Sequence, residues 1–131
     1  GDPDCRVIVS PMVGKGVELV MGAFRDANFG PVVMLGIGGV LVEILRDVTF
    51  RMAPLSGAEA ADMVAGLRSK ALLDGYRGGP VVDRAALADA MARLSRLVAD
   101  HDEIAEIDVN PVIAAADGLT IVDARIIVSG R

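Results

Sequence analysis

Residues 103–127 read EIAEIDVNPVIAAADGLTIVDARII, and this stretch has the pattern of a β-hairpin. Apolar and polar residues alternate through its first half, as they do in a strand that is buried on one side. Residues 116–118 (Ala-Asp-Gly) follow as the turn, and a return strand rich in β-branched residues occupies 119–128. The rest of the chain is predicted to be organised around this pair of strands.

The polar side chains of the hairpin fall on one of its faces. Because side chains alternate along a strand, one face is predicted to carry Glu106, Asp108 and Asn110 on the first strand and Asp123 and Arg125 on the return strand. A two-residue turn at 116–117 sets Asn110 opposite Asp123 and Asp108 opposite Arg125. Pro111 cannot donate to a ladder, so it implies either an edge position or a bulge, and a bulge would slide this register by one residue.

Two interpretations of this polar face stay open from the residues alone. It is either a solvent-facing stripe on an amphipathic sheet or part of a metal site. Asn110 and Asp123 would place two hard oxygen ligands on adjacent strands with open positions left over. Mg²⁺ is commonly held in that way, by one or two side chains together with substrate phosphates.

Composition limits the class of protein. The 131 residues are 53% apolar, which is enough for one domain with a sizeable core. A net charge of −5, with no basic cluster, argues against nucleic acid as a partner. No apolar run approaches the roughly 20 residues that span a bilayer, so no membrane partner is expected. A single cysteine, Cys5, excludes an internal disulfide and fits the reducing cytoplasm, and nothing near it marks a nucleophile.

Further strands precede the hairpin, and short connections between them favour an antiparallel sheet. Three are predicted at Cys5 to Val13, Val17 to Arg25 and Val32 to Leu35, and one or two more over Val40 to Asp47 and Val48 to Pro54. Glu18 stands alone among apolar neighbours, so it is either exposed at an edge or paired in a site. Because the chain lacks an initiator Met and enters its first strand almost at once, we expect it to be a piece of a longer protein.

Residues 36–39 (Gly-Ile-Gly-Gly) allow two interpretations as well. Glycines let backbone N–H groups approach an anion, so the segment could cradle phosphate. It could equally be a tight turn with positive φ, since it matches neither the Walker pattern nor the dinucleotide fingerprint.

Two helices are predicted between the glycine-rich segment and the hairpin. Ser56 and Glu59 have capping-box spacing and begin a helix that runs to about Ser69. Asp83 caps a second helix that runs to about Asp100. Their buried stripes are predicted to be Ala60, Met63, Val64 and Leu67, and Leu87, Ala90, Met91, Leu94, Leu97 and Val98. The predicted fold is α+β, a mostly antiparallel sheet with two helices packed on one face and the polar face of the hairpin turned to a cleft.

Several separated motifs in the right order resemble the ATP-grasp portion of ADP-forming acyl-CoA synthetases, relatives of the succinyl-CoA synthetase β subunit. They are GVELVMGAFRDANFGPVVMLGIGGVLVEILRDVTFRMAPL (16–55), LLDGYRGGP (72–80), EIAEIDVNP (103–111) and VDARI (122–126). The resemblance covers nearly the whole chain and implies that residues 1–131 are a single domain, the C-terminal half of an ATP-grasp domain.

The resemblance also implies which residues bind the nucleotide and its metal. Asn110 and Asp123 match the Mg²⁺ ligands. VSPMV resembles the hinge whose backbone reads adenine, with a carbonyl near Pro11 accepting from N6 and an N–H near Val13 donating to N1. The nucleotide-binding residues implied in this way are Pro11, Met12, Val13, Glu18, Gly38, Gly39, Glu43 and Arg51. Ser10 stands where relatives often have Gln or Glu, which puts a side-chain contact there in doubt.

The reaction implied is acid + CoA + ATP ⇌ acyl-CoA + ADP + phosphate, with ATP or ADP and Mg²⁺ as cofactors. No residue of this sequence matches the histidine that is phosphorylated in the family, and this includes His101. CoA and the acyl substrate would therefore bind through other domains or subunits, and this piece alone is expected to be inactive. The alternative is a non-catalytic ATP-grasp-like regulatory or interaction domain attached to an acetyltransferase.

Overall fold

The structure is a computed structural model that describes residues 16–38, 47–68, 70–75 and 81–129. The strand predicted over residues 5–13 and most of the one predicted over 40–47 lie outside these ranges. Within them, no helix is both long and apolar enough to cross a bilayer.

The described strands form one sheet in which every pairing is antiparallel. The strands are β1 (Val17–Asp26), β2 (Gly30–Ile37), β3 (Val48–Met52), β4 (Ile104–Ala115), β5 (Gly118–Ile121) and β6 (Ala124–Val128). Their order is β3-β2-β1-β4-β5, with β6 also pairing to β4. The centre of the sheet is therefore made by β1 and β4, which come from opposite ends of the chain.

The hairpin has the predicted register from Glu106 to its turn, and the register shifts by one residue only before Glu106. Asp108 lies opposite Arg125, and Val109 lies opposite Ala124. The predicted continuous return strand is interrupted at Val122 and Asp123, which separate β5 from β6. The interruption does not shift the register, because the Asn110 N–H donates to the Asp123 carbonyl at 3.0 Å and the Val122 N–H donates to the Pro111 carbonyl at 3.1 Å.

A bulge does occur at Pro111, but it faces β1 and leaves the hairpin unchanged. Leu19 pairs with Val112 and Met21 pairs with Val109, so two residues of β4 oppose the single residue Val20. Pro111 has no N–H to offer a neighbour, which makes this a position where ladder pairing is easily interrupted. The Asn110–Pro111 peptide bond is cis.

The two helices begin where their caps predict. Helix α1 (Gly57–Ala65) has Ser56 as N-cap in a complete capping box with Glu59. Helix α2 (Arg84–Asp100) has Asp83 as N-cap, whose side chain accepts from the Ala86 N–H at 3.0 Å. Helix α1 ends four residues before the predicted Ser69, because the chain turns at Gly66 and then forms a 3₁₀-helix at Lys70–Leu73.

Both helices cover the same face of the sheet, which confirms the predicted α+β arrangement. The core between them holds alternate residues of the central strands, including Leu19, Met21, Val33, Leu35, Ile107 and Val109, together with the buried stripes of the helices. One predicted stripe residue is wrong, because Leu97 is 39% exposed. The position that turns inward beside it is Ser95, fully buried, whose hydroxyl accepts from the Leu55 N–H at 2.9 Å.

Arg25 joins the sheet to the end of helix α2. Its guanidinium donates to the carbonyls of Val98, His101 and Ile104 at 2.5, 2.6 and 2.8 Å. The last carbonyls of a helix have no partner inside the helix and carry the negative end of its dipole, so a cation there is favourable. Arg25 therefore fixes the point at which the chain leaves α2 and enters β4.

Replacing Arg25 with Met should destabilise the chain by about 1.5–3 kcal/mol, the usual net value of hydrogen bonds made by a charged group. Urea unfolding followed by circular dichroism measures this. Arg96→Met is the matched control, because Arg96 is exposed on α2 and its loss should change stability by less than about 0.5 kcal/mol. Equal stability of the two variants would show that Arg25 does not hold this junction.

Candidate functional site

Asn110 and Asp123 lie side by side on the face of the sheet that the helices leave open. The helix-side core takes Ile107 and Val109 from β4, so the alternate residues point to the other face. The backbone bond from Asn110 to Asp123 extends the β4–β6 register, which sets these two residues directly opposite each other. The structure thus has the pairing that the sequence predicted.

Both side chains are exposed, and their backbones are fixed by the ladder. One carboxylate oxygen of Asp123, Oδ1, accepts from the Ala124 N–H at 3.0 Å, which orients the group and leaves its second oxygen available. The described residues contain no group of three or more His, Cys, Asp or Glu side chains placed to hold a metal ion. The amide and the carboxylate therefore form a partial oxygen site, which fits Mg²⁺ only if phosphates and water complete its octahedron.

Glu18 lies on the same open face and is exposed. It pairs with Ile113, two positions beyond the bulge formed by Asn110 and Pro111. Gly38 packs against it, since the Gly38 N–H donates to the Glu18 carbonyl at 2.9 Å and a Cβ at position 38 would lie 3.2 Å from Glu18 Cγ. Glycine at this position lets the backbone approach the Glu18 side chain.

The glycine-rich segment is not a tight turn with positive φ over its described residues. Gly36 and Ile37 are the last residues of β2, and neither Gly36 nor Gly38 has a positive φ. A Cβ on Gly36 would meet Val48 Cγ2 at 3.0 Å, so close strand packing explains that glycine. The Ile37 N–H donates to the Asp47 carbonyl at 3.1 Å, so this N–H and that of Gly38 are bonded within the protein rather than free for phosphate.

Arg51 lies on the opposite side of the sheet from Asn110 and Asp123. It pairs with the core residue Val33 on β2 and forms an ion pair with Asp62 of helix α1 at 3.1 Å. The structure therefore brings Glu18, Asn110 and Asp123 to one face and leaves Arg51 on the other. The remaining predicted nucleotide contacts, Pro11, Met12, Val13, Gly39 and Glu43, lie outside the described residues.

The open face also carries a groove that the sequence did not indicate. It is lined by Gly22, Ala23, Phe24, Met34, Glu106, Ile107 and Asp108. Gly22 lies close to the backbone of β4 in this groove, since a Cβ there would be 3.2 Å from the Ile107 carbonyl oxygen. A glycine in the middle of a strand signals such a close approach, but only the pairing of Gly22 with Asp108 places the groove beside the polar stripe.

Comparison with known proteins shows the family of the chain. A family profile described as an ATP-grasp domain matches residues 5–128. Acetate–CoA ligase [ADP-forming] I of Archaeoglobus fulgidus is 45% identical over 121 residues, which is 92% of this chain and 18% of the relative. The β subunit of acetate–CoA ligase [ADP-forming] I of Pyrococcus furiosus is 43% identical over 121 residues, 92% of this chain and 52% of the relative. The chain thus spans about half of that subunit or less than a fifth of the longer relative.

A solved structure gives the same result. Acetyl-coenzyme A synthetase 1 of Ca. Korarchaeum cryptofilum, in complex with coenzyme A and Mg-AMPPCP, is 51% identical and superposes with a TM-score of 0.82. The superposition covers 86% of this chain and 53% of that one. Its phosphohistidine segment points towards its nucleotide binding site. These matches confirm the predicted resemblance and the predicted fold, and they do not favour the acetyltransferase-linked alternative.

Proposed function

Because this chain belongs to the ATP-grasp domain family, we propose that it forms the Mg²⁺–nucleotide-binding half of an ADP-forming acid–CoA ligase. The observation that carries the proposal is the pairing of Asn110 with Asp123 on the open face of the sheet. The relatives described above supply the class of reaction. The larger protein would convert a carboxylic acid, CoA and ATP into acyl-CoA, ADP and phosphate.

Three residues of the open face have distinct parts in this proposal. The Asn110 amide oxygen and the free Asp123 carboxylate oxygen would hold Mg²⁺, which when bound neutralises charge on the nucleotide phosphates. Glu18, kept in place by Gly38, would contact the nucleotide beside the metal ligands. A rigid sheet suits this task, because catalysis of phosphoryl transfer consists mainly of positioning and electrostatic stabilisation.

The rest of the proposed site lies outside the described residues or outside this chain. Pro11, Met12 and Val13 would read the adenine edge, and Gly39 and Glu43 would complete the nucleotide contacts. To contact the nucleotide, Arg51 would leave its ion pair with Asp62 on the helix side. CoA, the acyl substrate and the phosphorylated histidine would belong to other domains or subunits, and the single cysteine supports a cytoplasmic location.

The reaction is tested with the purified longer protein that contains this chain. We expect release of ADP and phosphate from ATP only when both CoA and a carboxylic acid are present, with acetate tried first. Brief incubation with γ-labelled ATP should leave label on the protein in the acid-labile, base-stable form of phosphohistidine. Formation of AMP and pyrophosphate, or ADP release that ignores CoA, would contradict the proposal.

A further inference from the structure

The open face of the sheet carries one cation whose role is unassigned. The described strands contain three arginines, namely Arg25, Arg51 and Arg125, and no lysine. Arg25 reaches the end of α2 and Arg51 bonds to Asp62 of α1, so both are on the helix side. Arg125 pairs with Asp108, whose partner on β1 is Gly22 of the groove. Within the described strands, Arg125 is thus the sole Lys or Arg on the open face.

Arg125 stands next to the predicted metal ligand Asp123 on the same face. Two residues along a strand are separated by roughly 6.6 Å, and the long Arg side chain can cover that distance. Arg125 is exposed, and within the part of the chain that the structure describes it forms no ion pair, not even with Asp108 opposite. Its five donors are therefore available to an anion.

We propose that Arg125 is a catalytic residue that binds the terminal phosphoryl group of the nucleotide held by Asn110 and Asp123. The proposal rests on the function proposed above for the same face. Glu106, Asp108 and Asp123 make this face acidic, whereas a transferring phosphoryl group needs positive charge close by. Arg125 supplies that charge. A guanidinium suits this task, since it is always charged and binds phosphate oxygens with two donors at once.

The step that Arg125 would assist is transfer of the terminal phosphoryl group to an imidazole. The bond between the bridging oxygen and the terminal phosphorus breaks, and ADP keeps the electron pair. The lone pair of the imidazole nitrogen forms the new bond to phosphorus. The equatorial oxygens of the transferring group carry the charge that Arg125 would stabilise.

The test compares Arg125→Met with the unmodified longer protein. We expect kcat for ADP formation to fall by about 100-fold or more, as when one preorganised donor is removed from a transition state. Mg·ADP should bind within about threefold of normal, because ADP lacks the terminal phosphate. Mg·AMPPCP, which has it, should bind about tenfold or more weakly, as expected for a lost charged hydrogen bond. Arg125→Lys should recover part of the rate, and Arg96→Met on α2 should leave it unchanged.

Other outcomes overturn the proposal. Equal losses of Mg·ADP and Mg·AMPPCP affinity would mean that Arg125 supports the site as a whole rather than the terminal phosphate. If Arg125→Met has no effect in a protein that also carries Asp108→Asn, Arg125 acts through Asp108. If the unmodified protein forms no ADP with acid and CoA, the proposed function fails. The ratio of the two nucleotide affinities still decides the role of Arg125 in that case.

Discussion

Replacing Asp123 with Asn in the longer protein is expected to abolish Mg²⁺-dependent nucleotide binding while the fold is retained. The substitution keeps an oxygen that can accept from the Ala124 N–H but removes the negative charge that a metal ion requires. We expect the affinity for Mg·ADP to fall by about 100-fold or more. Replacing a residue that only supports a metal ligand already costs up to about 100-fold. Calorimetric titration of ADP with Mg²⁺ and with EDTA separates the metal-dependent part.

The control for this variant is Asp117→Asn, an exposed aspartate in the turn between β4 and β5. It makes the same chemical change away from the site and should bind Mg·ADP normally. Unfolding free energies of both variants should agree with the original within about 0.5 kcal/mol, because both side chains are exposed. Unchanged Mg²⁺ dependence in Asp123→Asn would remove Asp123 from the metal site.

The second large effect concerns the core. Leu87 lies on α2 and is fully buried, so Leu87→Ala should destabilise the chain by about 2–5 kcal/mol through lost burial and the remaining cavity. Alanine is the best helix former, so helix propensity cannot account for a loss. Since domains of this kind are stable by only about 5–15 kcal/mol, the urea midpoint should fall markedly.

Leu97→Ala provides a matched control for this prediction. It makes the same change on the same helix, but Leu97 is 39% exposed. Its cost should be about 1 kcal/mol or less, since less apolar area returns to water and the space left behind opens to solvent. Similar losses for Leu87→Ala and Leu97→Ala would contradict the placement of α2 against the sheet.

Local chemistry made much of the fold predictable from the sequence. Ser56 with Glu59, and Asp83 alone, mark helix starts because their side chains bond to backbone donors a few residues away. The hairpin register was predictable because a short turn fixes the pairing of both strands. These signals depend on neighbours in sequence and need no knowledge of the rest of the molecule.

The errors arise where distant parts of the chain decide the outcome. Proline at position 111 indicated a bulge, but the sequence could not say whether β1 or β6 would face it. Ser95 and Leu97 both lie near the edge of the buried stripe, and the contact with Leu55 determines which one turns inward. Helical periodicity alone gives the apolar residue the inward position, which is why Leu97 was assigned to the core.

The candidate site, like the fold, was predictable only in part. Alternation along the hairpin placed Asn110 and Asp123 together, and the resemblance gave them a shared role. Alternation on β3 puts Thr49 and Arg51 on one face and the apolar residues of the strand on the other, but it could not show that α1 covers the face with Arg51. The groove at Gly22 was not predicted, since it depends on the pairing of β1 with β4.

The pairing of β1 with β4 at the centre of the sheet also bears on how the chain reaches its native state. Val17 must find Ala114, and Phe24 must find Glu106, after almost the whole sequence has been synthesised. Domains dominated by such non-local contacts fold slowly, because the entropy of closing a long loop is lost before the contacts form. During synthesis, the apolar face of β1 and β2 therefore stays exposed until β4 has been made. Exposed apolar surface and unpaired strand edges make such an intermediate prone to aggregation.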